Sequence, residues 1–185
     1  FNELEIQNKD AGQFFTPFEV ALASARLCFD ANRTADIIKK TGYISLYEPA
    51  VGGGGMVLAF AQVMRQAGFD PTHQLLVCAG DVDLRCVCMT YIQTSLYGLP
   101  GKIQYGNALS TEAWALWHTP VYVFDLWMMK ERRKARVLQE AADRADSGTE
   151  GQDASISAKE ERTASAPGCG DTRNVEQLEL PDMRP

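Results

Sequence analysis

Residues 43–67, YISLYEPAVGGGGMVLAFAQVMRQA, join a short apolar stretch to a helix-forming stretch through an acid and four consecutive glycines. Residues 43–47 are apolar and rich in aromatic or β-branched side chains, which is typical of a buried strand. Residues 56–67 contain good helix formers. Glycines between a strand and a helix let the backbone turn tightly and approach a ligand closely. This order predicts a nucleotide-binding turn for a ligand with an adenosine-like portion.

Strand-like and helix-like stretches alternate on both sides of this turn. Thr16 and Pro17 cap and begin a predicted helix that ends near Asn32. The other predicted helices are residues 56–67 and 83–97, with one or two helical turns at 110–117, and the predicted strands are residues 43–47, 74–79, 102–105 and 121–124. Alternation at these lengths predicts an α/β fold with a parallel sheet, flanking helices and right-handed crossovers.

The character of the chain changes after Met129. Residues 131–144 are charged and have helical propensity, whereas residues 147–185 are rich in Ser, Gly, Ala, acids and Pro and have little to bury. We therefore expect a ligand-binding domain over residues 1–130. Residues 131–185 are predicted to be a charged helix followed by a disordered tail.

The charge and the hydrophobic pattern limit how the chain could bind nucleic acids or membranes. The net charge is −6 and the pI is near 5.0, which argues against a strongly basic nucleic-acid-binding surface outside a local patch. No apolar run approaches the roughly 20 residues of a transmembrane helix, and no signal-peptide pattern opens the chain. The chain begins with Phe1, which is consistent with a piece of a longer protein.

The five cysteines are an odd number, and all except Cys169 lie in apolar stretches. This usage favours a reduced, cytoplasmic protein. Cys86 and Cys88 are too close together and too far from other ligands to indicate a zinc site, so we interpret them as core residues and expect no metal.

Three loops follow consecutive predicted strands. They are Glu48 with the glycines, Gly80-Asp81-Val82-Asp83, and Gly106-Asn107-Ala108-Leu109. Because ligands bind at the carboxyl ends of the strands in an open parallel sheet, we expect these loops to form one site. An acid after the second strand, Asp81, can accept hydrogen bonds from ribose hydroxyls, and Asn107 can hydrogen-bond an adenine edge.

Two other nucleotide-binding turns fit less well. A phosphate-binding loop requires Gly-Lys-Ser/Thr after its glycines, but Met56 and Val57 follow here. The dinucleotide fingerprint, started from Gly52, requires a glycine at the position of Val57 and an acid about 20 residues further on. The sequence matches neither pattern cleanly.

The motifs resemble, in order, those of the N6-adenine DNA methyltransferases, and most closely the modification subunit of type I restriction systems. The motifs are Gly12-Gln13-Phe14-Phe15-Thr16-Pro17, Glu48-Pro49-Ala50-Val51-Gly52-Gly53-Gly54-Gly55-Met56, and the loops after the second and third strands. The resemblance implies a class I, Rossmann-like methyltransferase domain that binds S-adenosyl-L-methionine. It also implies DNA as partner, through a separate specificity subunit.

The resemblance assigns roles to seven positions. Phe15 and Thr16 would lie near the methionine part of the donor, and Glu48 would hold its amino-acid end with the glycine turn, including Gly52 and Gly54. Asp81 would bind the ribose. Asn107 stands where the family usually has Asp beside the adenine.

The family's catalytic loop, Asn/Asp-Pro-Pro-Tyr/Phe after the fourth strand, has no intact counterpart here. Its polar head binds the target amine, and its ring stacks on a flipped adenine. By position the candidates are Asp125 and Trp127, which keep an acid and an aromatic ring but neither proline. A second candidate, Thr119-Pro120-Val121-Tyr122, keeps one proline and the ring.

Two functional hypotheses follow. The first is an S-adenosylmethionine-dependent DNA (adenine-N6) methyltransferase, or a fragment or degenerate relative of one. The second is a catalytically inactive S-adenosylmethionine-binding module that acts through a DNA-associated partner. The missing tetrapeptide favours the second, whereas the ordered donor motifs agree with both.

Overall fold

The structure, a computed structural model, describes residues 16–147, and the side chains of residues 16–143. Its helices are α1 (Phe18–Cys28), α2 (Ala31–Thr41), α3 (Gly55–Gln66), α4 (Pro71–Gln74), α5 (Leu84–Leu96), α6 (Pro120–Phe124) and α7 (Trp127–Ser147). Its strands are β1 (Ile44–Glu48), β2 (Leu75–Asp81), β3 (Gly101–Asn107) and β4 (Glu112–His118). The predicted tail after residue 147, like Phe15, lies outside the described residues.

The four strands form one sheet in the order β1-β2-β3-β4. The pairs β1–β2 and β2–β3 are parallel, with Ile44 opposite Leu75 and Val77 opposite Gly101. Residues 75–79 of β2 are all buried, as expected for a strand covered on both faces. The predicted α/β architecture, a mostly parallel sheet with flanking helices, is confirmed.

Two elements after β3 differ from the prediction. Residues 110–117, predicted to include helical turns, contain most of strand β4, which pairs antiparallel with β3. Edge-to-face contacts of Trp114 with Tyr105 and of Trp117 with Tyr91 hold this strand on the sheet. Tyr105 lies on β3 and Tyr91 on α5, so these contacts attach the strand both to the sheet and to the helix that covers it, and they outweigh the local helical propensity.

The predicted fourth parallel strand, residues 121–124, is instead helix α6. Pro120 occupies the first turn of this helix, where its missing N–H costs nothing. Thr119, just before it, is buried; its hydroxyl accepts a hydrogen bond from the Gly101 amide (2.8 Å) and donates one to the Leu99 carbonyl (2.8 Å). These bonds fix the corner between β4 and α6 against the start of β3.

The remaining differences concern helix boundaries. The predicted first helix ends at Cys28, and a second helix, α2, follows because Asp30 caps it by accepting a hydrogen bond from the Arg33 amide (3.0 Å). Gly42, in the left-handed conformation, ends α2. Helix α7 begins at Trp127, so the predicted domain boundary at residue 130 lies inside it.

The two faces of the sheet carry different helices. Val77 and Ile103 pack on one face against α3 and α5, and α1 packs on α3 through Ala21 and Ala25. The opposite face carries Tyr43, Leu76 and Cys78, which pack against side chains of α6 and α7. Side chains of successive strand residues point to opposite faces, which explains this division.

Within residues 16–147, no helix is both long enough and apolar enough to cross a membrane. In the same part of the chain, no group of three His, Cys, Asp or Glu side chains is arranged to hold a metal ion.

Candidate functional site

The glycine turn, residues 52–55, lies between the end of β1 and the start of α3. We call this end of the sheet, where β1, β2 and β3 end, the carboxyl edge, and the opposite end the amino edge. The Val51 amide donates to the Gly80 carbonyl (2.9 Å), which ties the start of the turn to the end of β2. Gly54 has φ +85°, and a Cβ there would lie 3.2 Å from Thr90 Oγ1. Glycine is therefore favoured at this position by conformation and by space.

Asp81 joins two loops of the carboxyl edge. Its side chain is 8% exposed; Oδ2 accepts a hydrogen bond from the Gly52 amide (2.8 Å), and Oδ1 accepts one from the Asp83 amide (2.9 Å). An ionised carboxylate has about four lone-pair sites, so two remain for hydroxyl donors. Asp81 can thus hold the glycine turn in shape and bind a ligand at the same time.

Two side chains of α5 hold the same turn, and the sequence did not point to them. The Thr90 hydroxyl donates to the Gly52 carbonyl (2.9 Å), and the Gln93 amide donates to the Gly53 carbonyl. The two residues are three apart and so share one face of the helix. Their only signal in the sequence is a pair of polar residues at helical spacing, which is too common to be diagnostic.

The first turn of α3 faces the ligand side of this turn. Gly54 caps the helix, and the Leu58 amide is bonded to the Gly54 carbonyl (3.1 Å). The amides before Leu58 have no acceptor within the helix, and the helix dipole is positive at this end. The start of this 12-residue helix can therefore receive a negatively charged ligand group.

Three further predicted site residues lie at the carboxyl edge. The Thr16 carbonyl is 3.9 Å from the Cβ position of Gly55. Glu48 ends β1, and its Oε1 accepts a hydrogen bond from the Ala50 amide (3.2 Å). Asn107 ends β3, and its Oδ1 accepts one from the Leu109 amide (3.0 Å). The structure thus brings Thr16 next to the glycine turn and places Glu48 and Asn107 on the same edge.

The two catalytic candidates lie elsewhere. Trp127 is fully buried and packs edge-to-face on Tyr43, with the ring centroids 5.2 Å apart. Asp125 Oδ2 lies 3.7 Å from His73 Nε2. Tyr43 immediately precedes β1 and His73 lies just before β2, so both candidates are at the amino edge. The predicted fourth strand, after which these two residues were placed, is helix α6 in the structure, and this explains their position away from the glycine turn.

In the alternative tetrapeptide, residues 119–122, two side chains also make contacts within the fold. Thr119 makes the two buried hydrogen bonds described above. Tyr122 is buried, and its hydroxyl donates to Glu131. Neither residue reaches the glycine turn.

The comparisons with known proteins give one family. The family model described as N-6 DNA Methylase matches residues 3–123 of the chain. The matched span contains the glycine turn, Asp81 and Asn107, and it ends before Asp125 and α7. No curated protein matches the chain.

Proposed function

Because the chain belongs to the N-6 DNA methylase family, we propose that it binds S-adenosyl-L-methionine at the carboxyl edge and acts in adenine-N6 methylation of DNA. The observation that carries the proposal is the glycine turn held by Asp81, Thr90 and Gln93 beside the first turn of α3. A turn fixed from three directions is preorganised for a ligand, which reduces the entropy lost on binding.

The groups present match the chemistry of this donor. Its ribose hydroxyls need acceptors, which Asp81 supplies, and its carboxylate suits the amides at the start of α3. Its ammonium group suits the half-buried Glu48 carboxylate. Thr16 lies beside Gly55, and Phe15, outside the described residues, is assigned to the methionine part with it.

In the same proposal, Gly52 and Gly54 let the backbone approach the donor closely. Asn107 forms a hydrogen bond with the edge of the donor's adenine ring. The donor supplies an activated methyl group when bound. The residues of this chain bind and orient it, and their hydrogen bonds within the turn keep those positions fixed before binding.

The second candidate function is a donor-binding module that does not transfer the methyl group. The observation that favours it is the position of Asp125 and Trp127 at the amino edge, because neither can contact a base beside the glycine turn. In this alternative the chain is catalytically inactive and acts through a DNA-associated partner. For both alternatives we propose a separate specificity subunit of a restriction-modification system as the link to DNA.

We also propose a cytoplasmic location. None of the four cysteines in the described residues forms a disulfide, and this fits a reducing compartment.

Isothermal titration of the purified chain with S-adenosyl-L-methionine, and with S-adenosyl-L-homocysteine alongside, tests the donor site. We expect saturable binding of both ligands. No binding by a sample whose cooperative unfolding shows that it is folded would contradict the proposal. Transfer of a labelled methyl group to DNA, with and without a candidate specificity subunit, then separates the enzyme from the binding module.

A further inference from the structure

Helix α7 contains the most basic stretch of the described chain. Residues 130–136, KERRKAR, include five cations and one carboxylate, a net charge of +4 in a protein whose total is −6. The family match ends at residue 123, so this helix is not part of the span that the family model describes. Its charge therefore needs an explanation of its own.

One face of α7 is anchored to the sheet. Trp127 is buried against Tyr43, and Glu131 forms an ion pair with Lys102 at 2.5 Å. Lys134 Nζ lies 4.2 Å from the centroid of the Tyr43 ring. Positions 127, 131 and 134 follow the helical repeat, so they define a single inward face.

Two charged side chains of residues 130–136, Glu131 and Lys134, lie on the anchored face and not on the outward one. Glu131, which carries the one carboxylate of residues 130–136, forms an ion pair with Lys102 and accepts a hydrogen bond from the Tyr122 hydroxyl. Burial lowers the pKa of Lys134. The charge that α7 presents outward comes mainly from the arginines that follow Glu131.

Arg132, Arg133 and Arg136 are exposed and lie opposite the anchored face by helical periodicity. Within the described residues, no carboxylate lies within ion-pair distance of Arg132 or Arg133, and Arg136 forms one exposed pair with Glu140 at 3.5 Å. An exposed pair of this kind contributes at most about 1 kcal/mol and yields readily to a stronger anion.

We propose that Arg132, Arg133 and Arg136 bind phosphates of a DNA duplex, and that α7 is a sequence-independent contact to the DNA backbone. The proposal rests on the proposed function for its choice of DNA as the partner. Guanidinium groups bind phosphate oxygens in pairs and are weakly hydrated, which makes arginine better suited than lysine to this contact.

The position of the helix agrees with a backbone contact and not with base recognition. Helix α7 packs through Trp127 on the sheet face near the amino edge, whereas Glu48 and Asp81 place carboxylates at the carboxyl edge, beside the glycine turn. The arginines would hold the duplex without placing a base in the donor pocket. An acidic protein is the other partner that such a surface could attract; the family assignment favours DNA.

Fluorescence anisotropy with a labelled DNA duplex, measured over a series of salt concentrations, tests the proposal with the full chain. We expect the triple variant R132Q/R133Q/R136Q to bind at least about tenfold more weakly at low salt. The slope of log affinity against log salt should become shallower by about 1 for each phosphate that the variant no longer neutralises.

The matched control is R26Q/R33Q/R65Q, which removes the same charge from three exposed arginines on α1, α2 and α3. We expect this control to keep most of the affinity and the salt slope of the parent chain. Equally weakened binding in the two triple variants would overturn the proposal, because net charge alone would then explain the binding.

Titration with S-adenosyl-L-methionine on the same samples separates the two proposals. Arginine-dependent DNA binding supports the α7 surface whether or not the donor binds. Donor binding by a parent chain that does not bind the duplex, even at low salt, overturns the surface and leaves the donor site intact. Binding of polyglutamate in place of the duplex would likewise overturn it in favour of an acidic protein partner.

Discussion

Individual side chains of β2 and α5 give the glycine turn its shape. Asp81 holds the Gly52 amide, and Thr90 holds the Gly52 carbonyl, so one peptide unit on each side of Gly52 is bound by a buried residue. A buried polar group that loses its partner costs about 1–3 kcal/mol. Substitutions at these two positions should therefore test the two hydrogen bonds to Gly52 one at a time.

The first residue-scale prediction concerns the charge of Asp81. We expect Asp81→Asn to weaken S-adenosyl-L-methionine binding by about 1.5–3 kcal/mol, because the charged acceptor is lost and the single amide oxygen can accept from only one of the Gly52 and Asp83 amides. Titration calorimetry measures the change in donor affinity. The control is Asp36→Asn, which replaces an exposed carboxylate on α2. Unchanged affinity in folded Asp81→Asn would remove this carboxylate from the donor site.

The second concerns Thr90, which is fully buried. Thr90→Val keeps the side-chain volume but leaves the Gly52 carbonyl without its donor, so we expect a decrease of about 1–3 kcal/mol in the free energy of unfolding and weaker donor binding. Thr94→Val is the control, since the Thr94 hydroxyl donates within α5, to the Thr90 carbonyl (2.7 Å). Urea unfolding and calorimetry that fail to distinguish the two variants would show that the Thr90 bond does not shape the turn.

After β3 the chain no longer alternates between helices and parallel strands: β4 runs antiparallel to β3, and helix α6 follows it. The β3–β4 hairpin returns the chain across the sheet, and α6 turns it onto the opposite face. Thr119 stands between these two elements and bonds to backbone groups on both sides of Pro100. The corner is therefore held by a buried hydroxyl that sequence periodicity does not reveal.

We expect Thr119→Val to lower the free energy of unfolding by about 1–3 kcal/mol, because the buried Gly101 amide loses its acceptor. Thr119→Ser keeps the hydroxyl and should retain more of the stability. Chemical denaturation of both variants tests this; a valine variant as stable as the serine variant would show that the hydroxyl does not hold the corner.

For the whole molecule, the two ends of the sheet have different chemistry. Glu48, Asp81 and Asn107 share the carboxyl edge with the glycine turn, while Asp125 and Trp127 are at the amino edge with α7. A donor bound at one edge and the tryptophan at the other do not meet. The fold therefore separates donor binding from the surface formed by α6 and α7.

This separation predicts that Trp127 contributes to stability and not to donor binding. Trp127→Ala should cost about 3–5 kcal/mol of folding free energy, as expected for deleting a buried aromatic side chain. Trp127→Phe retains much of the packing and should bind S-adenosyl-L-methionine as the parent does. Thermal unfolding and calorimetry are the measurements, and a folded phenylalanine variant with strongly reduced donor affinity would contradict the separation.

Local patterns in the sequence are sufficient to predict β1, the glycine turn, α3, β2, α5 and β3. Each of these elements has a local pattern, such as an apolar run or glycines between a strand and a helix, whose physical cause lies within a few residues. Gly54 shows why the prediction of the turn succeeded: a positive φ and a close neighbour both favour glycine. The placing of Glu48, Asp81 and Asn107 at one edge also followed, because parallel strands end at the same edge.

Contacts between distant parts of the chain determine β4, α6 and the side chains that hold the glycine turn. Residues 110–117 form part of a strand because β3 and two aromatic contacts stabilise it there, and residues 121–124 are helical after a corner fixed by Thr119. Thr90 and Gln93 meet the glycine turn from 38 and 40 residues away in the chain. Contacts between distant residues leave no periodic signal in the sequence, because their energy depends on packing that exists only after the chain has folded.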